Sequence, residues 1–364
     1  MAQNERQRVR LIIAGGFLGA GKTTLLLTAA RRLAERGYRV GLITNDQGED
    51  LVDTALGEGA EIPVTEVAGG CFCCRFPDLI AGLDRLKAVA DPHVILAEPV
   101  GSCTDLVATV LRPLIQFHPE QYDLAPLTVL HDGTRDLAGF PADVAYLYQQ
   151  QLAEAELLLL NKCDLLDESA QRVLVAQLQA VYPQAEILTA SAHSGDGIDA
   201  WLEIVLGQQS RNPETLLIDY GRYADAEAAL GWLNVKGTVR SDEPFAVDAW
   251  SAQLLERLGT GFAAQQAAIA HIKTLVTAGT ARFKGSLTQS GAPLSWDLHD
   301  GEVAATQLDF LLNVRVNAAP PILEQVVTQT VEALKPAPAA RYYFTHFECF
   351  SPLPPEPTHR LREA

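Results

Sequence analysis

Short apolar runs recur through the first two hundred residues, each closed by glycine or polar residues and most followed by a stretch with helical spacing. Leu11–Ala14, Arg39–Thr44, His93–Ala97, Leu127–Asp132, Glu156–Leu160 and the run from Ile187 read as strands; Thr24 to about Gly37 and Trp201–Leu206 read as helices. This alternation predicts an α/β fold with a mainly parallel sheet over residues 9 to about 208. Beyond Arg211-Asn-Pro-Glu the pattern changes. Ala228–Val239 alternates like a strand, and Val247–Ala278 reads as a long helical stretch with a break at Gly259-Thr-Gly261. Thr280–Leu287, Leu294–Leu298 and Asp309–Val316 read as strands, and Pro321–Leu334 as a helix. The expected organisation is a first domain over 1–210, a smaller α+β domain over 211–350 with helices on one face of an antiparallel sheet, and an extended Pro-rich tail over 351–364.

Composition narrows the function classes. The chain has 364 residues, enough to bury a full core and form two domains. Its formal net charge of -17 argues against nucleic-acid binding, which needs a basic face to displace counterions. No apolar run approaches the ~20 residues of a membrane span, and the polar N-terminus has no signal-peptide core. Six cysteines, three of them clustered, point to a reducing compartment and to metal or redox chemistry, so a cytoplasmic location is expected.

The candidate chemistry begins at Gly16-x-x-x-x-Gly21-Lys22-Thr23, placed between the first strand and the first helix. In that context Gly16, Gly19 and Gly21 let backbone amides turn inward around phosphates, and the helix N-terminus adds positive charge. Lys22 reaches the β/γ oxygens, Thr23 is placed to hold Mg²⁺, and Thr24 opens the helix. The second strand runs into Asn45-Asp46-Gln47-Gly48, where Asp46 is a candidate Mg²⁺ ligand. Glu98, at a strand tip, would hold the Mg²⁺ shell or orient water, and the Gly101 amide could sense the γ-phosphate. Asn161-Lys162-x-Asp164 at a later strand end reads guanine: the carboxylate accepts from N1–H and N2–H₂, and the Lys stem covers the ring. Ser191 and Ala192 supply the facing loop. GTP is the expected nucleotide.

Cys71-Phe-Cys73-Cys74 follows Gly69-Gly70. Three thiols on a glycine-freed loop form a soft-ligand cluster suited to Zn²⁺, with Co²⁺, Ni²⁺ or Fe²⁺ open, and three ligands leave one coordination place free. Cys103 lies near in sequence and could join. His346 and Cys349 form a weaker pair, read first as part of an aromatic-flanked strand.

Together Gly16–Thr24, Asn45–Gly48, Gly70–Cys74, Glu98-x-x-Gly101 and Asn161–Asp164 resemble the CobW-type metallochaperone GTPases, relatives of the nickel-insertion GTPases of urease and hydrogenase. The resemblance covers roughly residues 9–208. It implies a GTPase that binds a divalent metal at the Cys-x-Cys-Cys loop and couples hydrolysis to delivery to a client metalloprotein. The chain departs from the pattern in carrying Asp46 where the family usually has Glu, and in having no His-rich tract. A metal-independent GTPase switch with structural cysteines is the alternative, and a P-loop small-molecule kinase is a third reading.

Overall fold

The computed structural model describes residues 8–45, 62–67 and 69–362. The first layer is a sheet of eight parallel strands: β1 (Val9–Gly16), β2 (Val40–Asn45), β3 (Val64–Val67), β4 (Val94–Glu98), β5 (Tyr122–Leu124), β6 (Thr128–Asp132), β7 (Leu157–Asn161) and β8 (Glu186–Thr189). Their order is β3-β2-β4-β1-β6-β7-β8, with β5 beside β1. Helices α1 (Lys22–Glu35), α2 (Phe76–Ala90), α3 (Arg112–Phe117), α4 (Ala142–Ala153), α5 (Glu168–Val181) and α6 (Ile198–Gly207) accompany it. The central strands are near-continuous apolar runs because both faces are covered, as parallel sheets require. Leu11, Ile13 and Ile95 pack into one apolar cluster, and Ile12, Leu96 and Leu159 into another.

Helix α7 (Tyr220–Ala229) leads into a second sheet, of six antiparallel strands in the order β12-β11-β10-β13-β9-β14. These are β9 (Gly231–Ala246), β10 (Ile269–Ala278), β11 (Ala281–Leu287), β12 (Ser295–His299), β13 (Ala304–Val316) and β14 (Arg341–Phe350). Helices α8 (Val247–Ala264) and α9 (Pro320–Ala333) complete this unit. Leu254, Leu258, Phe262 and Val327 share its core with Ile272, Phe283 and Leu312.

The expected long helix over Val247–Ala278 is corrected: it is a helix followed by a strand. Gly259 and Gly261 do not break α8. A Cβ on them would meet Leu287 and Val326 at 2.9 and 2.8 Å, so they let the helix lie close to its neighbours. Ile269–Ala278 is a strand because it pairs on both sides, with β11 and β13; its apolar residues are also compatible with a helix, and tertiary pairing decides.

After β14, residues 351–362 carry no helix or strand and return to the first unit as a strap. The Thr358 amide donates to the Cys73 carbonyl (2.8 Å), and the Thr358 hydroxyl to the Cys74 carbonyl (3.1 Å). The Leu361 amide donates to the Ala108 carbonyl (2.8 Å), and Arg360 pairs with the buried Asp105 (2.6 Å). The His359 ring packs between Phe76 and Phe117.

Candidate nucleotide and metal site

The carboxyl ends of parallel strands are where such sheets bind ligands, and the candidate residues gather there. Gly16, Gly19 and Gly21 all have positive φ. Gly21 shows the need most clearly: a Cβ there would lie 2.4 Å from Asn161 Nδ2. Lys22, buried at the start of α1, donates to the carbonyls of Gly16 (2.9 Å) and Phe17 (3.3 Å). The Thr23 hydroxyl donates to Glu98 Oε1 at 3.0 Å, and both side chains are buried. A hydroxyl and a carboxylate side by side are hard oxygen donors, a set that fits Mg²⁺. Asp46 lies outside the described residues.

Asn161 joins three segments. Its Nδ2 donates to the Ala20 carbonyl (2.7 Å), and its Oδ1 accepts from the Ala192 amide (2.9 Å), tying the glycine loop to the Ser191–Ala192 loop. Ser191 is buried, its hydroxyl capping the turn by accepting from the Ser194 amide. Lys162 is held by Asp132 at 2.7 Å. Burial alone would raise the Asp132 pKa, but Lys162 and Arg135 outweigh it and keep this carboxyl below its ordinary range. Asp164 is exposed, at the mouth of the same cavity of about 870 Å³ that Gly21, Lys22, Thr23, Thr24 and Gly101 line.

Sequence reasoning missed the second unit's share of this cavity. His271, Lys273, Lys284 and Asp297 line it. Asp297 accepts from the Thr24 hydroxyl (3.2 Å) and pairs with Lys284. Arg135 bridges the two units, donating to the carbonyls of Leu18 (2.7 Å), Ala270 (3.0 Å) and Thr288 (2.6 Å). Desolvation, helped by Lys273 and Lys284, drives the His271 pKa well below the ordinary imidazole value, so the ring is neutral. The signal that could have found this face is the period-two placement of His271 and Lys273, visible once the segment is read as a strand.

The thiol loop is built from the tip of β2. Asn45 Nδ2 donates to the carbonyls of Val67 and Gly70, both at 2.7 Å, and its Oδ1 accepts from the Phe72 amide at 2.8 Å. Gly69 and Gly70 take positive φ, and the Cys71 carbonyl then closes a turn by accepting from the Cys74 and Arg75 amides. This delivers the sulfurs to the N-terminus of α2, where the helix field favours a thiolate. Cys71 Sγ stands 2.7 Å from Cys73 Sγ and 3.1 Å from Cys74 Sγ; Cys73 and Cys74 are 3.7 Å apart. Sulfurs at ~2.3 Å around a tetrahedral ion lie about 3.8 Å apart, so small outward movements seat one. Hydrogen bonding among the thiols, with Cys103 first and then Cys73 and Cys74, holds the Cys71 pKa well below the ordinary thiol range. Among the described residues no other group of three or more Cys, His, Asp or Glu side chains converges in this way. His346 and Cys349 fall on opposite faces of β14: His346 is 3.7 Å from Glu348, and Cys349 donates to the Pro320 carbonyl.

A parallel sheet, a glycine loop between strand and helix, an Asn-Lys-x-Asp strand end and a converging cysteine loop make up a P-loop nucleotide-binding domain. Residues 10–189 match the CobW/HypB/UreG nucleotide-binding domain, and the chain belongs to that family. It is 32% identical over 224 residues to a Pseudomonas aeruginosa protein named zinc chaperone CobW, covering 50% of this chain and 57% of that one. It is 31% identical over 186 residues to the Escherichia coli hydrogenase maturation factor HypB (50% and 58% covered), and 28% identical over 191 residues to the Escherichia coli zinc chaperone YjiA (50% and 58%). The chain thus spans under two thirds of the length of these relatives. No described helix is long and apolar enough to cross a membrane.

Proposed function

We propose that this protein is a GTPase that carries a divalent thiophilic metal, zinc before cobalt, nickel or iron, and hands it to a client metalloprotein at the expense of GTP. The convergence of Cys71, Cys73 and Cys74 on one point carries the reading. Asp164 selects guanine, the Lys162 stem covers the base, and Asn161 holds the surrounding loops in register. Lys22, now on two carbonyls of the glycine loop, turns to the β/γ oxygens when nucleotide displaces those contacts. Thr23 and Glu98 would hold Mg²⁺, which when bound neutralises phosphate charge. Glu98 also orients the attacking water, and the Gly101 amide registers the γ-phosphate. Relatives named zinc chaperones support zinc as cargo.

The test is GTP hydrolysis and Zn²⁺ binding by the full chain beside Cys71→Ser/Cys73→Ser/Cys74→Ser. Stoichiometric Zn²⁺ binding that differs between GDP and a non-hydrolysable GTP analogue, and that the triple variant loses, is expected. Equal hydrolysis in both proteins, blind to metal, would return the cysteines to a structural role.

A further inference from the structure

The wall that the second unit presents to the glycine loop is charged and closely fitted. Strand β10 gives it His271 and Lys273, β11 gives Lys284 and Ser286, and β12 gives Asp297. The fit is tight at Gly19, where a Cβ would lie 2.8 Å from the Thr288 side chain and 3.2 Å from the Ala270 carbonyl oxygen. Within this wall the Asp297 carboxylate divides its two oxygens. Oδ1 accepts from the Thr24 hydroxyl at 3.2 Å, and Oδ2 pairs with the ammonium of the buried Lys284. Thr24 lies in the first turn of α1, where the backbone amides and the helix field are directed at phosphate. A glycine-loop hydroxyl and a lysine holding one anion by two oxygens is the arrangement a phosphate group requires, here with a carboxylate in that role. Cations gather around it: Lys22, Lys162, Lys273 and Lys284 all line the cavity, in a chain whose net charge is -17.

We infer that Asp297 is an internal stand-in for a nucleotide phosphate and that Lys284 is a phosphate-binding residue supplied by the second unit. The inference rests on the nucleotide reading above and adds to it a residue from the other sheet. Nucleotide and Asp297 compete for the same two donors. The α/β-phosphates take the Thr24 hydroxyl and the Lys284 ammonium, and Asp297 gives up both, because a carboxylate beside a phosphate carries a like-charge penalty. The phosphates prevail because they also gain the loop amides and Lys22, which Asp297 does not touch. Strand β12 is an edge strand of its sheet, so Asp297 yields without disturbing the strands behind it. Lys284 then joins the two units through the bound nucleotide, where Asp297 joined them directly through Thr24.

The experiment is competitive titration of GDP and of guanosine against a fluorescent guanine nucleotide on the full chain, wild type beside Asp297→Asn and Lys284→Gln. Asp297→Asn should tighten GDP about fivefold, by removing one like charge at water-screened strength, and leave guanosine unchanged. Lys284→Gln should weaken GDP about tenfold or more, the worth of a hydrogen bond to a charged group, again with guanosine unchanged. A weaker or unchanged GDP affinity in Asp297→Asn would overturn the inference, because a purely structural link between Thr24 and Asp297 predicts no gain. An equal loss of GDP and guanosine in Lys284→Gln would overturn it too. Lys284→Gln also strands the Asp297 carboxylate, so Lys284→Gln/Asp297→Asn serves as the second variant. It should bind GDP about tenfold more weakly than Asp297→Asn alone, and equal affinity of these two sinks the role of Lys284. If wild type binds GDP and the variants disagree with these signs, only the stand-in falls; if wild type binds no guanine nucleotide, the nucleotide reading falls with it.

Discussion

The strap offers the sharpest test of how the metal loop is held. Arg360 is paired with Asp105 at 2.6 Å; the carboxylate is 1% exposed and the guanidinium 21%. Truncating Arg360→Ala leaves a buried carboxylate with the neutral Tyr220 phenol donating to it at 2.8 Å and the charge of Arg362 further off. Removing one member of a fully buried pair costs about 3–5 kcal/mol; partial exposure of Arg360 and the surviving Tyr220 bond bring this to about 2–3 kcal/mol. At about 2–4 °C per kcal/mol, Tm should fall by about 4–12 °C. Burial raises the Asp105 pKa, and Tyr220 and Arg360 pull it back. Without Arg360 it climbs further, and an acid with a raised folded pKa loses stability as pH rises, so the deficit should be larger at pH 8 than at pH 5. The same substitution frees Thr358 from the Cys73 and Cys74 carbonyls, so Cys73 and Cys74 should react faster with a thiol reagent. Arg360→Ala/Asp105→Asn should recover most of the stability while the thiols stay reactive. Unchanged labelling and Tm in Arg360→Ala, or no recovery in the double variant, would refute the reasoning.

Glu154 is wholly buried, and its pKa is pushed up to about 8 by that burial. Its favourable contribution is complete below the unfolded value of about 4.3 and is lost as pH rises through the folded value. Glu154→Gln should therefore gain on wild type between pH 5 and 9 in urea unfolding; parallel curves would contradict this. Asp132→Asn releases Lys162 and should weaken binding of a fluorescent GDP by about 5–30-fold, the equivalent of 1–2 kcal/mol, while weak ATP binding stays put. Equal losses for both nucleotides would mean that Lys162 does not act on the base. Gly101→Ala drives a Cβ to 2.8 Å from the Leu18 side chain and should cost about 1–3 kcal/mol of stability and lower affinity for a GTP analogue more than for GDP. Isothermal titration with both nucleotides decides it.

The sequence made the first unit readable because its signals are local. A strand, a glycine loop and a helix start lie within sixteen residues, and Asn161-Lys-Cys-Asp164 sits directly on a strand end. Strands β3 and β5, of four and three residues, carry too little pattern to be seen before their partners are known. The second unit hid its role for a different reason. Reading Ile269–Ala278 as helix scattered His271 and Lys273 around an axis, whereas the strand sets both toward the nucleotide cavity. Asn45 was visible as part of a motif, but its work, fastening the thiol loop to the sheet, depends on partners 22 to 27 residues away. Arg135 and the strap likewise act over separations no window of sequence spans.

That last separation has a consequence in time. Thr358 covers a carbonyl 284 residues earlier in the chain. At about 5–20 residues per second of synthesis, the cysteine loop leaves the ribosome roughly 15–60 seconds before the segment that closes over it. For that interval the Cys73 and Cys74 carbonyls lack the strap that bonds them in the folded chain, and the cavity beside them lacks its second wall, from β10 and β11. The cysteine loop of the newborn chain therefore lacks the restraint that the strap later gives it. Thiol labelling of ribosome-stalled chains ending before and after residue 362 would measure that restraint.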